Sequence, residues 1–66
     1  MKVSYDTKMD VLSVIFRDHV SIAESDEKKP GIIFDYDKEG NLISLEILDA
    51  SKRVTEANKV EFQTNE

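Results

Sequence analysis

Residues 31–48 read Gly31-Ile32-Ile33-Phe34-Asp35-Tyr36-Asp37-Lys38-Glu39-Gly40-Asn41-Leu42-Ile43-Ser44-Leu45-Glu46-Ile47-Leu48. Two runs with a period of two flank a polar loop, which is the signature of a β-hairpin. If Tyr36 pairs with Ile43, then Phe34 faces Leu45 and Ile32 faces Ile47. All six apolar side chains then share one face, and a slip of one residue would scatter them, so the pattern specifies the register. The loop left over is Lys38-Glu39-Gly40-Asn41, where Gly40 supplies the positive φ that such a loop needs.

The same period extends toward the N-terminus. Pairing Tyr5 with Leu12 brings Val3 opposite Val14 and leaves Thr7-Lys8-Met9-Asp10 as a turn. Pairing Phe16 with Val20 brings Val14 opposite Ile22 around Arg17-Asp18-His19. Five strands are expected near 2–6, 11–17, 20–26, 31–37 and 42–48, joined in sequence order as an antiparallel meander. Pro30 has no N–H for a ladder and belongs to the link before the fourth strand. After Leu48 the period changes. Asp49 reads as an N-cap, and Ala50, Val54 and Ala57 form a thin helical stripe. The fold class is mainly β with a short C-terminal helix: a meander domain over 1–54, then a frayed or partly ordered tail over 55–66.

One consequence is an imbalance. Thirteen side chains fall on one face: Val3, Tyr5, Leu12, Val14, Phe16, Val20, Ile22, Ile32, Phe34, Tyr36, Ile43, Leu45 and Ile47. At about 1.5–3 kcal/mol each, their burial represents roughly 20–40 kcal/mol. The tail offers Ala50, Val54 and Ala57, with Val60 and Phe62 beyond them, which is too little to cover five strands. Part of that face is therefore expected to meet another chain, because large apolar patches are rare on soluble monomers. Ile15, Ile33 and Leu48 fall on the opposite, polar face, with Ile33 across from Glu46 and Asp35 across from Ser44.

Composition narrows the function classes. The chain has 66 residues, a net charge of −5 and no cysteine. There is no thiolate metal site or disulfide, which fits a reducing, cytoplasmic setting. Apolar runs are too short for a signal peptide or a membrane span. The acidic balance argues against nucleic acid as a partner and favours a basic protein. The lone His19 falls in a turn with no cysteine or second histidine beside it. No serine sits in a Gly-flanked elbow, and Gly31 and Gly40 form no phosphate loop. The run Glu24-Ser25-Asp26-Glu27 reads as a solvated edge. Asp35-Tyr36-Asp37-Lys38-Glu39-Gly40, with Glu46 in twelfth place, nearly spells a calcium loop, but strands flank it where helices are required. No cofactor is expected.

Tyr5-Asp6, Asp10-Val11-Leu12, Gly31 to Asp37, Gly40 and Glu46-Ile47-Leu48-Asp49-Ala50-Ser51 together resemble domain-of-unknown-function family 2283, over about residues 1–54. Ser44 departs from a frequent Gly, and Ile15 from a commonly polar position. The resemblance implies a short, β-rich prokaryotic protein without a settled activity. Members are often encoded beside small ribonuclease-like or other toxin-like proteins, which implies an antitoxin role for some. The expected function is a non-enzymatic interaction domain, antitoxin-like, whose partner is a small basic protein. A purely structural homo-oligomer, such as a dimer, is the alternative. A third reading is a metal-dependent or carboxylate site built across subunits from Asp35, Glu46 and His19. Asp35, Glu46, Asp49, Lys52 and Arg53 are the candidate partner or structural polar contacts; of these, Asp35, Glu46 and Asp49 are expected first to bond turns or the start of the C-terminal segment and then to meet a partner.

Overall fold

The computed structural model describes residues 1–65; the expectation for the last residue of the tail, Glu66, lies outside them. It is mainly β: five antiparallel strands in one open sheet and one short helix. The strands are β1 (Lys2–Asp6), β2 (Val11–Ile15), β3 (Glu24–Lys29), β4 (Ile32–Tyr36) and β5 (Leu42–Leu48), followed by α1 (Ala50–Arg53).

The first and last hairpins keep the expected register. Tyr5 pairs with Leu12 and Val3 with Val14. Phe34 pairs with Leu45 and Ile32 with Ile47. Gly40 sits at φ 85° in the last hairpin loop. That loop is tied by Asp37, whose Oδ1 accepts from the amides of Glu39 and Asn41, both at 2.9 Å. One pair differs from expectation. A bulge makes Tyr36 pair with Leu42, leaving Ile43 as the extra residue. The freed Ile43 carbonyl accepts from the amides of Phe16 (2.8 Å) and Arg17 (3.3 Å), where the chain leaves β2.

The middle of the meander is corrected. The sheet order is β1-β2-β5-β4-β3, so β2 pairs with β5, not with β3. Residues 16–23 are not a hairpin. They cross one end of the sheet to the far edge, where the Ala23 amide donates to the Tyr36 carbonyl at 2.8 Å. β2 stops at Ile15, and β3 runs over Glu24–Lys29 instead of 20–26. The reason is the composition of the competing neighbours. A central strand is flanked on both edges and covered by more protein, which suits Leu42–Leu48. Glu24-Ser25-Asp26-Glu27-Lys28-Lys29 keeps its charges in water only at an edge. β3 then turns through Pro30-Gly31 into β4, with Pro30 outside both strands as expected.

The register sets out the apolar face as two rows across four strands: Val3, Val14, Leu45 and Phe34, and next to it Tyr5, Leu12, Ile47 and Ile32. At β3 the rows end on Asp26 and Lys29. Val20 and Ile22 are not part of this face, because they lie in the crossover. The rows stay half-buried or exposed; the buried apolar residues are Ile43, Ala50 and Ala57 alone among the described residues. The tail does not seal the sheet, since Val60 is 61% and Phe62 82% exposed. The molecule is a slab, 34 × 33 × 19 Å. No helix among the described residues is long and apolar enough to cross a membrane.

The two glycines provide a test. Gly31 and Gly40 both have positive φ, 84° and 85°. A Cβ on Gly40 would meet nothing, whereas on Gly31 it would stand 2.7 Å from the Arg53 guanidinium. Gly40→Ala is expected to cost about 1 kcal/mol from backbone strain alone. Gly31→Ala is expected to cost roughly 1 kcal/mol more through the displaced Arg53, an excess that disappears in an Arg53→Ala background. Urea denaturation of the four variants checks both statements.

Candidate functional site

Two polar clusters stand out, one on each part of the framework. The first lies on the polar face, where Asp35 of β4 is 1% exposed. The register aligns Ser25, Asp35 and Ser44 in one cross-strand row, with Glu46 in the next. Ser25 Oγ donates to Asp35 Oδ1 at 2.7 Å, and Ser44 Oγ donates to Oδ2 at 2.8 Å. The crossover brings Ile22 beside Ile15, Ser13 and this cluster, around a shallow depression of about 220 Å³. These apolar neighbours explain how a carboxylate in a one-layer sheet comes to be buried.

Burial works to raise the Asp35 pKa, but the hydrogen bonds from Ser25, Ser44 and Glu46 outweigh it and hold the carboxyl below its usual range. Glu46 moves the other way: its hydrogen bond to Asp35, then burial, then the neighbouring negative charge raise its pKa. Of the two carboxyls, Glu46 is therefore the one whose protonated form the pairing favours, and Asp35 the one whose charge it favours. Such a pair can accept or release a proton, and it tolerates a second negative charge poorly.

The second cluster is at the opposite end of the sheet, and its centre is Asp10, which sequence reasoning placed only in a turn. Asp10 adopts a left-handed φ of 56°. Its backbone carbonyl accepts from the Ala50 amide at 3.0 Å. Oδ1 accepts from the Ser51 amide (3.0 Å) and the Tyr5 hydroxyl (2.6 Å), and Oδ2 accepts from Ser51 Oγ (2.6 Å). The first turn of α1 is therefore capped across the chain. Asp49, expected to cap it, occupies the cap position at φ 52° and makes no side-chain cap bond. The Ser51 hydroxyl, the Tyr5 hydroxyl, the Ser51 amide and the positive charge of Lys52 lower the Asp10 pKa against the opposing effect of burial. The Asp10 bond is also the main cause that raises the Tyr5 pKa.

The remaining candidates separate. Arg53 donates to the Pro30 carbonyl at 2.7 Å and bonds the start of the C-terminal segment to the β3–β4 turn. Lys52 is exposed, and its charge acts on Asp10. His19 lines a different depression, of about 480 Å³, beside Asp37 and Lys38, and is not brought to Asp35 and Glu46 within the chain. In the calcium-loop spelling, Asp35 serves the serine row while Asp37 ties the hairpin loop. Among the described residues, no three His, Asp or Glu side chains converge in a group suited to hold a metal ion.

The carboxyl pair makes stability depend on pH in two directions. Asp35, with a lowered folded pKa, stabilises the fold at neutral pH, and this is lost as pH falls through that value. Glu46, with a raised one, stabilises at acid pH, and this is lost as pH rises through its folded value. Glu46→Gln keeps a donor to Asp35 without the second charge. It is expected to raise stability at pH 7 by about 0.5–1 kcal/mol, a few degrees in Tm, and to have no benefit near pH 4. Melting curves across that range test it. Asp10→Ala is expected to lower Tm and to speed amide exchange first at Ala50–Arg53, which mass-spectrometric hydrogen exchange reads.

Residues 2–51 match the model of a protein family of unknown function, DUF2283. The matched span includes every strand, both members of the carboxyl pair and the Tyr5–Asp10–Ser51 cap. No curated protein and no solved structure matches the chain. With most of its length and its whole sheet matched, this chain belongs to the DUF2283 family.

Proposed function

We propose that this protein is a non-enzymatic interaction domain whose apolar sheet face takes a second protein chain. The observation that carries this reading is the uncovered pair of apolar rows. Domains are stable when an apolar sheet face packs on another layer. Here eight such side chains lie on four strands, seven half-buried and Val3 exposed, with no second sheet among the described residues to cover them, and the tail leaves Val60 and Phe62 in water.

The border of the face describes the partner. Glu24, Asp26 and Lys29 lie along β3 beside Tyr36, Phe34 and Ile32, two acidic groups against one basic, and the whole chain carries −5. An apolar surface with a basic rim complements that arrangement. A small basic protein of the toxin-like kind fits it, which would give this chain an antitoxin-like role in a prokaryotic cytoplasm. The polar clusters are read as structural: each carboxylate oxygen of Asp35 and Asp10 is occupied by a donor from elsewhere in the chain.

The test compares one face with the other. Affinity-tagged protein from its native host is expected to co-purify, in stoichiometric amount, with a protein in which Lys and Arg outnumber Asp and Glu. Val14→Lys, in the middle of an apolar row, is expected to lose that protein at least tenfold, while Ser13→Lys on the polar face keeps it. Equal recovery with both variants, each folded by circular dichroism, overturns the reading.

A further inference from the structure

The two outer strands of the sheet end differently. At β3 the apolar rows stop against Asp26 and Lys29, and a bulge between Glu27 and Lys29 interrupts the edge. At β1 they run to the edge itself, on Val3 and Tyr5, with no charged border on that face. β1 is regular, five residues long and free of Pro and Gly, with an outer side that no strand among the described residues covers. Natural sheets usually guard such an edge, because its free N–H and C=O groups pair readily with another strand.

The sequence of β1 is self-complementary when reversed. In Lys2-Val3-Ser4-Tyr5-Asp6, an antiparallel copy centred on Ser4 sets Lys2 opposite the partner's Asp6, Val3 opposite the partner's Tyr5, and Ser4 opposite the partner's Ser4. The charges attract on the polar face, and a β-branched residue meets an aromatic ring on the apolar one, both favourable cross-strand pairs. The groups needed are free. Lys2 forms no ion pair within the chain among the described residues. Asp6 uses only Oδ1, which accepts from the Met9 amide at 3.0 Å. The same operation centred on β3 sets Asp26 against the partner's Glu27 at the axis while Glu24 meets the partner's Lys29, so that edge gains no net charge attraction, and its bulge interrupts the ladder.

We propose that β1 pairs with β1 of a second copy of this chain, antiparallel about a two-fold axis at Ser4, to form a continuous ten-stranded sheet. An isologous contact of this kind closes at two chains. Directly paired residues point to the same side of an antiparallel sheet, so the two apolar faces join into one of double width. The pairing does not depend on what occupies that face.

Charge exchange and cross-linking test it, and the chain has no native cysteine to interfere. Sedimentation equilibrium is expected to show a dimer. Lys2→Asp and Asp6→Lys should each weaken it by on the order of tenfold or more, since both cross-axis pairs become repulsive. An equimolar mixture of the two variants should restore association, because every pair is then of opposite charge. Under mild oxidation, Ser4→Cys should cross-link with itself. Lys2→Cys should do so only with Asp6→Cys. A chain that remains monomeric at several hundred micromolar overturns the proposal. So does a dimer that tolerates both charge changes and fails to cross-link at Ser4, as a face-to-face dimer would.

Discussion

A sheet one layer thick must leave one face to be covered by something else, and this constraint governs the molecule. Two rows of four apolar side chains lie across β1, β2, β5 and β4. They stay half-buried or exposed, and among the described residues the buried apolar side chains are Ile43, Ala50 and Ala57. Strand order follows from the same pressure. The strands rich in Val, Leu and Ile take the centre, and the charged β3 takes an edge. The chain accepts an eight-residue crossover, residues 16–23, to reach that edge.

The crossover in turn creates the most buried charge in the structure. By passing one end of the polar face, it brings Ile22 near Asp35, which two serine hydroxyls from neighbouring strands then hold in place. A buried carboxylate is tolerated when hydrogen bonds compensate for lost water. Here they do so well enough to hold the Asp35 pKa down against burial, while that of Glu46 is raised. The opposite end of the sheet is organised by Asp10, which connects the β1–β2 turn, β1 itself and the start of α1. Both clusters join segments distant in sequence, and both lie in the span shared with the DUF2283 family. They stiffen a thin sheet that has little core to do so.

On the proposed reading, the apolar side of this sheet is a recognition surface. The carboxylate oxygens of Asp35 and Asp10 are committed to bonds within the chain, and the charged border of the apolar face lies along β3. The proposed partner surface on the face and the proposed second copy at β1 use different parts of the sheet, so the two proposals are compatible with one another.

Period-two patterning in the sequence determined the mainly β class, the two hairpins with their registers, Gly40 in its loop and Pro30 outside the strands. Each of these depends on residues within a few positions of one another, where alternation leaves one solution. Even the pairing of Ile33 with Glu46 and of Asp35 with Ser44 was legible, because it follows from the hairpin register. What escaped was non-local. The pattern Phe16-Val20 and Val14-Ile22 is as consistent locally as the true hairpins. Only competition for the place beside β2, won by Ile43-Ser44-Leu45-Glu46-Ile47, decided against it. The cap on α1 likewise went to Asp10 over the adjacent Asp49, across 41 positions. Tyr5, Asp10 and Ser51 all lie in the stretches that resemble the family, yet nothing in one chain's sequence says that they meet. Alternation is a property of the strand, whereas neighbourhood between strands is a property of the whole sheet, and only the tertiary structure supplies it.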